Sequence, residues 1–378
     1  MITKAAVLSD PQAEPPYAVS KPLVVEDLIL QAPGDGQVLV RVGAAGLCHS
    51  DLSVIDGSRP RPLPMALGHE GAGIIEEVGR GVSGLRAGDH VVFCFVPACG
   101  RCVECMSGRP ALCEPGALAN GAGTLSDGTC RLSRPGGHLV LHHLGISCFA
   151  SHAVVSEASV LPITDAIPLQ VAALFGCALL TGVGAVVNTA RVEPGTSVVI
   201  FGLGGVGMAA VMGAALAGAH PVIVVDPNRQ KHEQACAVGA SGGLVPSLTL
   251  TAQIRELTGG GAHYAFDAVG NTRVLADAFT VTRRGGTTVA IGLPHPVHKV
   301  ELPAAVIAAE ERRILGSYLG SSVPVRDVPR LIGLHEAGKL PVERLLSRTV
   351  GLNEINESFD RLAEGSLLRQ VVDLDPDI

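Results

Sequence analysis

The stretch LCHSDLSVIDGSRPRPLPMALGHEGAG brings together side chains that bind zinc. Cys48 offers a soft thiolate and His69 an imidazole, and the carboxylates Asp51 and Glu70 follow them closely. A catalytic zinc takes three protein ligands of this kind and leaves a fourth position open. We therefore expect a third ligand from elsewhere in the chain and choose Cys177, within LFGCALLTG. Each residue alone is as readily a buried core residue, so the hypothesis depends on their combination.

A second cluster of ligands lies in CGRCVECMSGRPALC, within a lobe at residues 97–115. Its cysteines follow the pattern C-x2-C-x2-C-x7-C and are Cys99, Cys102, Cys105 and Cys113. Four thiolates close a tetrahedral shell, which is the arrangement of a structural zinc rather than a catalytic one. Because the metal organises such a lobe, removing the zinc should unfold it locally.

A glycine-rich turn, GLGGVG at residues 202–207, indicates a dinucleotide site. It follows an apolar run, Val198–Phe201, and precedes an Ala-rich stretch with helical character. Gly202 permits the tight turn, Gly204 lets the backbone approach a pyrophosphate, and Gly207 lets helix and strand pack closely. The motif alone is weak evidence, but its position between a strand and a helix is the expected one.

An acidic residue follows this turn at the expected distance. Asp226 ends a second apolar run and is placed to accept hydrogen bonds from an adenosine ribose. It therefore favours NAD over NADP, while the nearby cations Arg229 and Lys231 weaken that preference because a cation accommodates a 2'-phosphate.

Composition narrows the class of protein. The chain has 378 residues, of which 47% are hydrophobic and 17% charged, so it can bury a large core. Its net charge is -7 and no Lys/Arg-rich block is present, which argues against nucleic acid or an anionic membrane surface as partner. We expect a cytoplasmic protein, because no signal peptide or membrane span is evident and the ten cysteines suit reduced thiols and zinc.

The elements that must position these residues fall into two patterns. Alternating apolar runs broken by turn residues predict a β-rich, barrel-like region up to about Pro97, with strands at 4–8, 37–45, 71–78 and 89–95. From 192 to 316, strands alternate with helices, which predicts a doubly wound parallel sheet and an α/β fold. We expect a surface loop over 117–144, a helix over 168–181 that carries Cys177, helices at 328–338 and 352–363, and a strand at 369–374.

Taken in order, GLCHSD, GHEGAG, the four-cysteine loop, Cys177 and GLGGVG resemble the zinc-dependent medium-chain alcohol dehydrogenases over nearly the full length. The resemblance implies a GroES-like catalytic domain made of residues 1–178 and 319–378. A Rossmann domain for NAD would span 179–318, with the active cleft between the domains. It also implies reversible oxidation of primary or secondary alcohols to aldehydes or ketones, with hydride transfer to NAD.

The resemblance assigns roles to individual residues. Two zinc ions are implied per chain, a catalytic one on Cys48, His69 and Cys177 and a structural one on the four-cysteine lobe. Asp51 would orient His69, Glu70 would modulate the coordination, and Ser50 would receive the substrate proton. The residues implied at the cofactor are His49, Thr181, Gly202, Gly204, Gly205, Val206, Gly207, Asp226, Arg229, Lys231, Ile291 and Arg369. The residues implied in the substrate pocket wall are Phe95, Leu118 and His143.

Two positions depart from the pattern of many relatives. Ser53 stands where those relatives have a His that passes the proton outward, so water or His49 would take that step. The segment EPGALA after Cys113 lacks the Arg found in relatives that oxidise the glutathione adduct of formaldehyde, which favours ordinary alcohols.

Several alternatives stay open at this stage. A polyol or sugar dehydrogenase, or a dehydrogenase of S-hydroxymethyl thiols, would use the same zinc and nucleotide. A catalytically silent NAD-binding zinc protein is the non-enzyme alternative, and a Rossmann-type methyltransferase leaves both cysteine sets unexplained. By analogy we expect a homodimer formed through the Rossmann sheets, using residues 300–315, with a tetramer as the second choice.

Overall fold

The computed structural model describes residues 1–11 and 13–374 and divides into two compact units. The first unit comprises Met1–Cys177, Val323–Pro329 and the described residues from Leu346 onward. The second comprises Ala178–Ser322 and Arg330–Leu345. Ala178 and residues 319–322 and 330–345, which we assigned to the first domain, group with the second unit instead. One contact within that unit is the bond from the Ser322 Oγ to the Leu180 carbonyl at 3.3 Å.

Short strands and short helices follow one another along the chain. The strands are β1 (Ile2–Leu8), β2 (Leu23–Leu30), β3 (Gln37–Gly46), β4 (Met65–Ala66), β5 (Glu70–Val78), β6 (His90–Phe93), β7 (Leu132–Ser133), β8 (Leu139–His142), β9 (His152–Ser156), β10 (Val160–Ile163), β11 (Val198–Phe201), β12 (Val222–Val225), β13 (Gly242–Leu244), β14 (Ala262–Asp267), β15 (Thr282–Ala290), β16 (Arg313–Gly316), β17 (Leu346–Gly351) and β18 (Arg369–Asp373). The helices are α1 (Tyr17–Ser20), α2 (His49–Ile55), α3 (Val103–Met106), α4 (Glu114–Ala122), α5 (Leu169–Ala172), α6 (Ala178–Gly184), α7 (Gly205–Leu216), α8 (Arg229–Cys236), α9 (Leu250–Leu257), α10 (Thr272–Val281), α11 (Ala304–Ala309), α12 (Pro324–Glu336) and α13 (Ile355–Glu364). Short 3₁₀ or π segments lie at Pro110–Leu112, His143–Gly145, Glu157–Ser159, Ala173–Phe175, Ala185–Ala190, Leu319–Ser321, Val342–Leu345 and Leu352–Glu354.

The first unit is rich in β-structure, as the alternating runs predicted. One set of strands closes into a barrel in the order β1, β2, β7, β8, β4. A second sheet runs β10, β6, β5, β3, β18, β17, and β9 also pairs with β3. The C-terminal strand β18 lies antiparallel to β3, so the last described strand returns to this unit. Alternating apolar residues of the barrel strands, such as Ala5, Val7 and Leu28, are fully buried in its core.

The second unit is built on a six-stranded sheet in the order β13, β12, β11, β14, β15, β16. All neighbours in it are parallel. In chain order this is 3-2-1-4-5-6, the doubly wound order expected of a dinucleotide-binding domain. The central strand β11 reads VVIF and is buried throughout, as a strand covered by helices on both faces must be. The predicted fold class is therefore confirmed.

Some predicted elements differ from the observed ones. The single surface loop expected over 117–144 is wrong, because α4, β7 and β8 interrupt it. The helix α4 forms because Pro115 stands in its first turn, Glu114 complements its N-terminus, and Gly123 ends it in the left-handed conformation with a φ of 73°. The single helix expected over 168–181 is also wrong, because the chain is broken into short helical pieces on either side of Gly176 and Cys177.

Within the described residues, no single helix has both the length and the apolar character needed to cross a membrane. The segments Leu169–Phe175 and Ala178–Ala190 pass such a test only when joined across their break.

Candidate metal centre and nucleotide site

Two neighbouring strands bring the first ligands together. Gly46 at the end of β3 is the antiparallel partner of Glu70 at the start of β5. Cys48 follows β3 by two residues and caps α2, while His69 directly precedes β5. The sheet register therefore places a thiol and an imidazole at one edge, although 20 residues separate them in the chain.

Cys177, the third candidate ligand, is positioned by a close approach between two backbone segments. Gly176 lies so near the end of β6 that a Cβ on it would stand 1.9 Å from the Phe93 carbonyl oxygen. Only glycine fits at this approach, and it seats the next residue, Cys177, beside the other two ligands. Because β6 pairs with β5, the three ligands share one end of the same sheet.

The geometry of the cluster suits zinc. The ligand atoms of Cys48, His69, Glu70 and Cys177 all lie within 4.8 Å of one another, and each residue is buried. The Cys177 Sγ is 3.6 Å from the His69 Nε2. A sulfur and a nitrogen bound to one tetrahedral zinc stand about 3.6 Å apart, given bond lengths of about 2.3 and 2.1 Å. The side chains present therefore fit the ion.

Neighbouring groups shift the pKa values of the residues in this cluster. A hydrogen bond from Cys177 holds the pKa of Cys48 well below its ordinary value, and the same pairing raises the pKa of Cys177 well above its own. Burial alone would lower the pKa of His69, but the Asp51 carboxylate raises it well above the usual range. The Cys48 thiolate and the Cys177 thiol thus share one proton. A divalent metal ion can replace that proton, because metal binding requires deprotonated thiols.

A buried ion pair lies against the cluster. Arg369, at the start of β18, is 3% exposed, and its Nη2 is 2.9 Å from the Glu70 Oε2. Its Nη1 donates to the Leu47 carbonyl at 2.7 Å. Burial raises the pKa of Glu70 to about 7 despite the guanidinium. This pairing joins residues 299 positions apart, so no local pattern could have predicted it; the predicted contact of Arg369 with a cofactor phosphate stays a prediction.

Asp51 orients the imidazole ligand. Its Oδ1 accepts from the His69 Nδ1 at 3.0 Å, which leaves Nε2 for a metal. The same oxygen lies 3.0 Å from the Nδ1 of His143. Phe95 and His143 each pack edge to face on the His69 ring at 5.4 Å between centroids. Two of the three residues expected in the pocket wall therefore contact the His69 ring, whereas Leu118 lies on α4 with 69% of its surface exposed.

The four-cysteine lobe also has the geometry of a metal site. All four sulfur atoms lie within 4.8 Å of one another, and the Cys102 Sγ is 3.9 Å from the Cys113 Sγ. Sulfur atoms on one tetrahedral zinc stand about 3.8 Å apart. The backbone N–H of Cys99 donates to the Cys113 sulfur, and that of Cys102 donates to the Cys99 sulfur, each at 3.3 Å. Such bonds stabilise the thiolates that zinc requires.

The glycine turn of the second unit has the predicted form. Gly202 has a φ of +88°, which only glycine adopts easily. A Cβ on Gly207 would stand 1.8 Å from the Gly202 carbonyl oxygen, so close packing requires glycine there. A Cβ on Gly204 would meet nothing within 4 Å, which leaves open space at the N-terminus of α7. That helix begins at Gly205, and its first N–H groups lack partners within the helix.

Asp226, which directly follows β12, is hydrogen-bonded to the glycine turn. Asp226 accepts from the Leu203 N–H at 2.7 Å through one oxygen and from the Asn228 N–H at 2.8 Å through the other. Lys231 is buried beside it, and burial lowers the lysine pKa although Asp226 opposes the shift. Arg229 is exposed at the start of α8. The carboxylate is therefore tied to the glycine turn itself.

The remaining predicted residues divide between the two units. His49 is exposed and Ser50 half-buried on the first turn of α2, directly after Cys48. In the second unit, Thr181 is half-buried on α6 and Ile291 is buried at the end of β15. A Cβ on the neighbouring Gly182 would stand 2.3 Å from the Val206 carbonyl oxygen, so α6 packs against α7 close to Thr181. Val206 itself is half-buried.

Two family models match the chain. Residues 34–165 match the alcohol dehydrogenase GroES-like domain, and residues 205–336 match the zinc-binding dehydrogenase domain. The first match contains Cys48, His69 and the four-cysteine lobe, and the second begins at the N-terminus of α7.

Individual relatives match over nearly the whole length. An NDMA-dependent alcohol dehydrogenase of Amycolatopsis methanolica is 39% identical over 98% of this chain and 99% of its own. The crystal structure of an alcohol dehydrogenase zinc-binding domain protein from Burkholderia ambifaria has a TM-score of 0.93, with 36% identity and 99% of each chain covered. That of benzyl alcohol dehydrogenase from Acinetobacter calcoaceticus has a TM-score of 0.92, with 31% identity over 99% of this chain and 100% of that one.

Proposed function

This chain belongs to the zinc-dependent medium-chain alcohol dehydrogenase family and is an oxidoreductase, and from that premise we propose the reaction and its residues. It oxidises primary or secondary alcohols reversibly to aldehydes or ketones, with NAD as hydride acceptor. The observation that carries this proposal is the buried set of Cys48, His69 and Cys177, with a sulfur-to-nitrogen distance of 3.6 Å.

Each metal-competent set would hold one zinc ion, giving two per chain. Cys48, His69 and Cys177 would hold the catalytic ion, and the four-cysteine lobe would hold a structural one. When bound, the catalytic zinc supplies a Lewis acid at the substrate oxygen, and the nicotinamide supplies the hydride acceptor. Glu70 lies within ligand range of the same set and is neutralised by Arg369, so it can adjust the charge of the shell.

The chain's own residues would manage the proton released from the alcohol. Ser50 follows Cys48 by two residues, and we assign its hydroxyl to receive that proton. Ser53 cannot serve as the next carrier in the manner of an imidazole, because its Oγ donates to the His49 carbonyl at 2.8 Å. His49 is exposed on the same helical turn, so proton exit through His49 or water is the route that this geometry supports.

NAD rather than NADP is the proposed cofactor. The Asp226 residue is 7% exposed, and its carboxylate accepts from the Leu203 N–H in the glycine turn and from the Asn228 N–H. A fixed negative charge there disfavours a 2'-phosphate, and the buried Lys231 nearby has a pKa lowered by burial, which disfavours its charged form. The expected ratio of kcat/KM for NAD over NADP is about 10 or more.

The reaction is tested by a screen of alcohols and aldehydes, including benzyl alcohol, with NAD and NADP and with or without NDMA. The protein should form many equivalents of NADH per chain without NDMA and contain about two zinc ions. If one equivalent of NADH forms per chain and further alcohol is oxidised only when NDMA is added as electron acceptor, NAD is a retained group and not a released cosubstrate. If no alcohol is oxidised while both zinc ions are present, the silent zinc protein replaces the enzyme.

Dehydrogenation of S-hydroxymethyl thiols is the second candidate. The helix α4, which begins directly after Cys113, reads EPGALANGA and carries no cation for a glutathione carboxylate. Ordinary alcohols are therefore the better substrates, and the screen should include S-hydroxymethylglutathione. A kcat/KM for the adduct above that for every free alcohol would reverse this order.

A homodimer through the second unit is the proposed assembly. The strand β16 is an edge of the six-stranded sheet, and Ile314 on it is 39% exposed. The neighbouring helix α11 reads AAVIAA and has no fully buried residue. Ile314→Lys should shift a dimer toward monomer in analytical ultracentrifugation, and an unchanged mass would exclude this edge. The cytoplasmic location stays a prediction.

A further inference from the structure

A second imidazole touches the carboxylate that orients His69. The Asp51 Oδ1 lies 3.0 Å from the His69 Nδ1 and 3.0 Å from the His143 Nδ1, and it accepts from the Gly68 N–H at 3.2 Å. Asp51 is fully buried and both histidines are 1% exposed. Two hydrogen-bond donors, the His69 Nδ1 and the Gly68 N–H, therefore meet one carboxylate oxygen out of reach of solvent. The His143 Nδ1 approaches the same oxygen at 3.0 Å but outside hydrogen-bond geometry, so it is a close charge contact.

We propose that His143 is a positioning residue, whose imidazole holds Asp51 so that Asp51 can hold His69 in the orientation that binds zinc. The inference rests on the proposed catalytic zinc site and adds a residue to its support. It assigns His143 to the ligand's orientation rather than to the pocket wall that we expected from the sequence.

The charge on Asp51 gives His143 its role. A buried carboxylate needs donors, because an unpaired charge in the interior costs several kcal/mol. No Lys or Arg pairs with Asp51 in the described part of the chain, so its polar neighbours are two imidazoles and one amide. Since a neutral imidazole has a single N–H, the 3.0 Å approach to a carboxylate oxygen favours the His143 hydrogen on Nδ1.

The position of His143 is itself fixed by buried contacts. Its backbone N–H donates to the Ser147 Oγ at 3.0 Å, and that hydroxyl donates to the Ala66 carbonyl at 2.7 Å. Ala66 belongs to β4, three residues before His69. The His143 ring stands at 90° to the His69 ring, as Phe95 does, so it also limits rotation of the ligand. The contact with Asp51 is therefore held by the same segment that carries His69.

A second metal ion is the competing reading of Asp51, His69 and His143, because their donor atoms lie within 4.8 Å of one another. Ligand atoms on one tetrahedral zinc with bonds of about 2.1 Å stand about 3.4 Å apart. Both nitrogen-to-oxygen distances in this cluster are 3.0 Å, which is shorter than that separation. The distances therefore disfavour a shared metal, and the His69 contact is a hydrogen bond.

The test compares three variants of the full-length zinc protein. His143→Phe keeps the ring and removes its N–H, His143→Gln keeps an N–H donor, and His142→Gln alters a buried neighbour whose Nε2 accepts from the Arg131 N–H. Zinc affinity is measured by chelator competition, the geometry of the site by the visible spectrum of the cobalt-substituted protein, and turnover by kcat and KM.

His143→Phe should weaken zinc at the buried site about tenfold, shift the cobalt spectrum and lower kcat, while the KM for NAD stays unchanged. His143→Gln should recover most of the affinity and the spectrum, and His142→Gln should leave both as in the wild type. If His143→Phe does not fold, His143→Leu serves in its place with the same expected loss of affinity.

Two results would overturn the proposal. One is a His143→Phe protein with the zinc affinity and cobalt spectrum of the wild type. The other is a third zinc in the wild type that His143→Phe removes, which would establish the metal reading. A wild type that binds zinc at the buried site but oxidises no alcohol would refute the proposed function, whereas affinity and spectrum would still test His143.

Discussion

Two clusters in the first unit have similar ligands but are built in different ways. The four-cysteine lobe takes all its sulfurs from 15 consecutive residues, 99–113, and three of its four cysteines are partly exposed. The other cluster combines Cys48, His69 and Cys177 from distant parts of the chain, and all are buried. The lobe is stabilised by backbone N–H groups directed at sulfur, whereas the buried cluster is surrounded by ionisable side chains.

This difference separates the two kinds of zinc chemistry. A closed set of thiolates needs only local spacing, and it leaves no place for a substrate. The buried set would supply three Cys and His ligands, and its neighbours Asp51, Glu70 and Arg369 are placed to set orientation and charge. The cost of burying those charges is tolerated because each one has a partner. We therefore expect the two clusters to respond differently to the loss of one ligand.

The largest effect is expected from Cys48→Ala. Turnover should fall by about a thousandfold or more, because a site with two strong ligands does not retain its zinc. Zinc content should fall from two ions to one per chain, while NADH binding stays nearly unchanged, because the glycine turn belongs to the second unit. Steady-state kinetics measure turnover, metal analysis measures zinc content, and NADH fluorescence measures cofactor binding. Cys236→Ala, at an exposed cysteine, is the control; loss of NADH binding in Cys48→Ala would contradict the separation of roles.

The next largest effect is expected from Cys105→Ala in the lobe. One zinc should again be lost, but the consequence is structural: the apparent Tm should fall by about 5 °C or more, since the metal organises this segment. Limited proteolysis should cut within 97–115, and the cobalt spectrum of the buried site should survive. Ser107→Ala alters an exposed residue of the same lobe and should change none of these. An unaltered Tm would mean that the lobe folds without its metal.

The two clusters should also differ in the rate at which their cysteines react with a thiol reagent. Backbone N–H groups of Arg101 and Cys102 lower the pKa of Cys99 to about 6, and this residue is partly exposed. Cys48 also has a lowered pKa, but it is 7% exposed. In zinc-free protein at pH 7, iodoacetamide should modify Cys99 about tenfold faster than Cys48, and the rate should fall as pH drops below 6 because the thiolate is protonated. Peptide mapping by mass spectrometry measures both rates; faster labelling of Cys48 would show that the buried cluster opens.

The smallest effect should come from outside both clusters. Burial lowers the pKa of His142 to about 4, with Arg131 contributing to the shift. Between pH 6.5 and 4 the unfolded chain therefore binds a proton that the folded chain rejects, and stability is lost as the pH falls through that range, by up to about 3 kcal/mol.

His142→Gln removes this titration. The Tm of the variant should change less between pH 6.5 and 4 than that of the wild type, measured by calorimetry. His138→Gln, at an exposed histidine four residues earlier, should follow the wild type. Parallel curves for wild type and His142→Gln would show that His142 does not contribute to the acid sensitivity.

The sequence predicted what depends on local spacing. The four-cysteine lobe, the glycine turn and the acid at Asp226 each lie within one segment, and their spacing follows directly from the chemistry of zinc or phosphate. The doubly wound sheet was predictable because its buried strands, such as Val198–Phe201 and Val222–Val225, are continuous apolar runs.

Features that depend on tertiary contact were missed or only partly predicted. The strand β2 was overlooked because LVVEDLIL mixes apolar and acidic residues, and its pairing with β1 and β7 defines it. The family resemblance placed His143 in the pocket wall, and that placement stays a prediction; its contact with Asp51 was not predicted, since nothing in the doublet His142–His143 shows which ring faces Asp51. The pairing of Glu70 with Arg369 depends on β18 lying beside β3, which no local pattern records.

The position of β18 also bears on how the protein is made. Arg369 follows Glu70 by 299 residues, yet it neutralises that carboxylate at the heart of the first unit. During synthesis the N-terminal strands leave the ribosome long before this arginine exists, so a nascent first unit holds a carboxylate that lacks its partner. The unit therefore completes its fold only after residue 369 has emerged, and a truncation before that residue should yield a protein that accumulates as an unfinished, aggregation-prone intermediate.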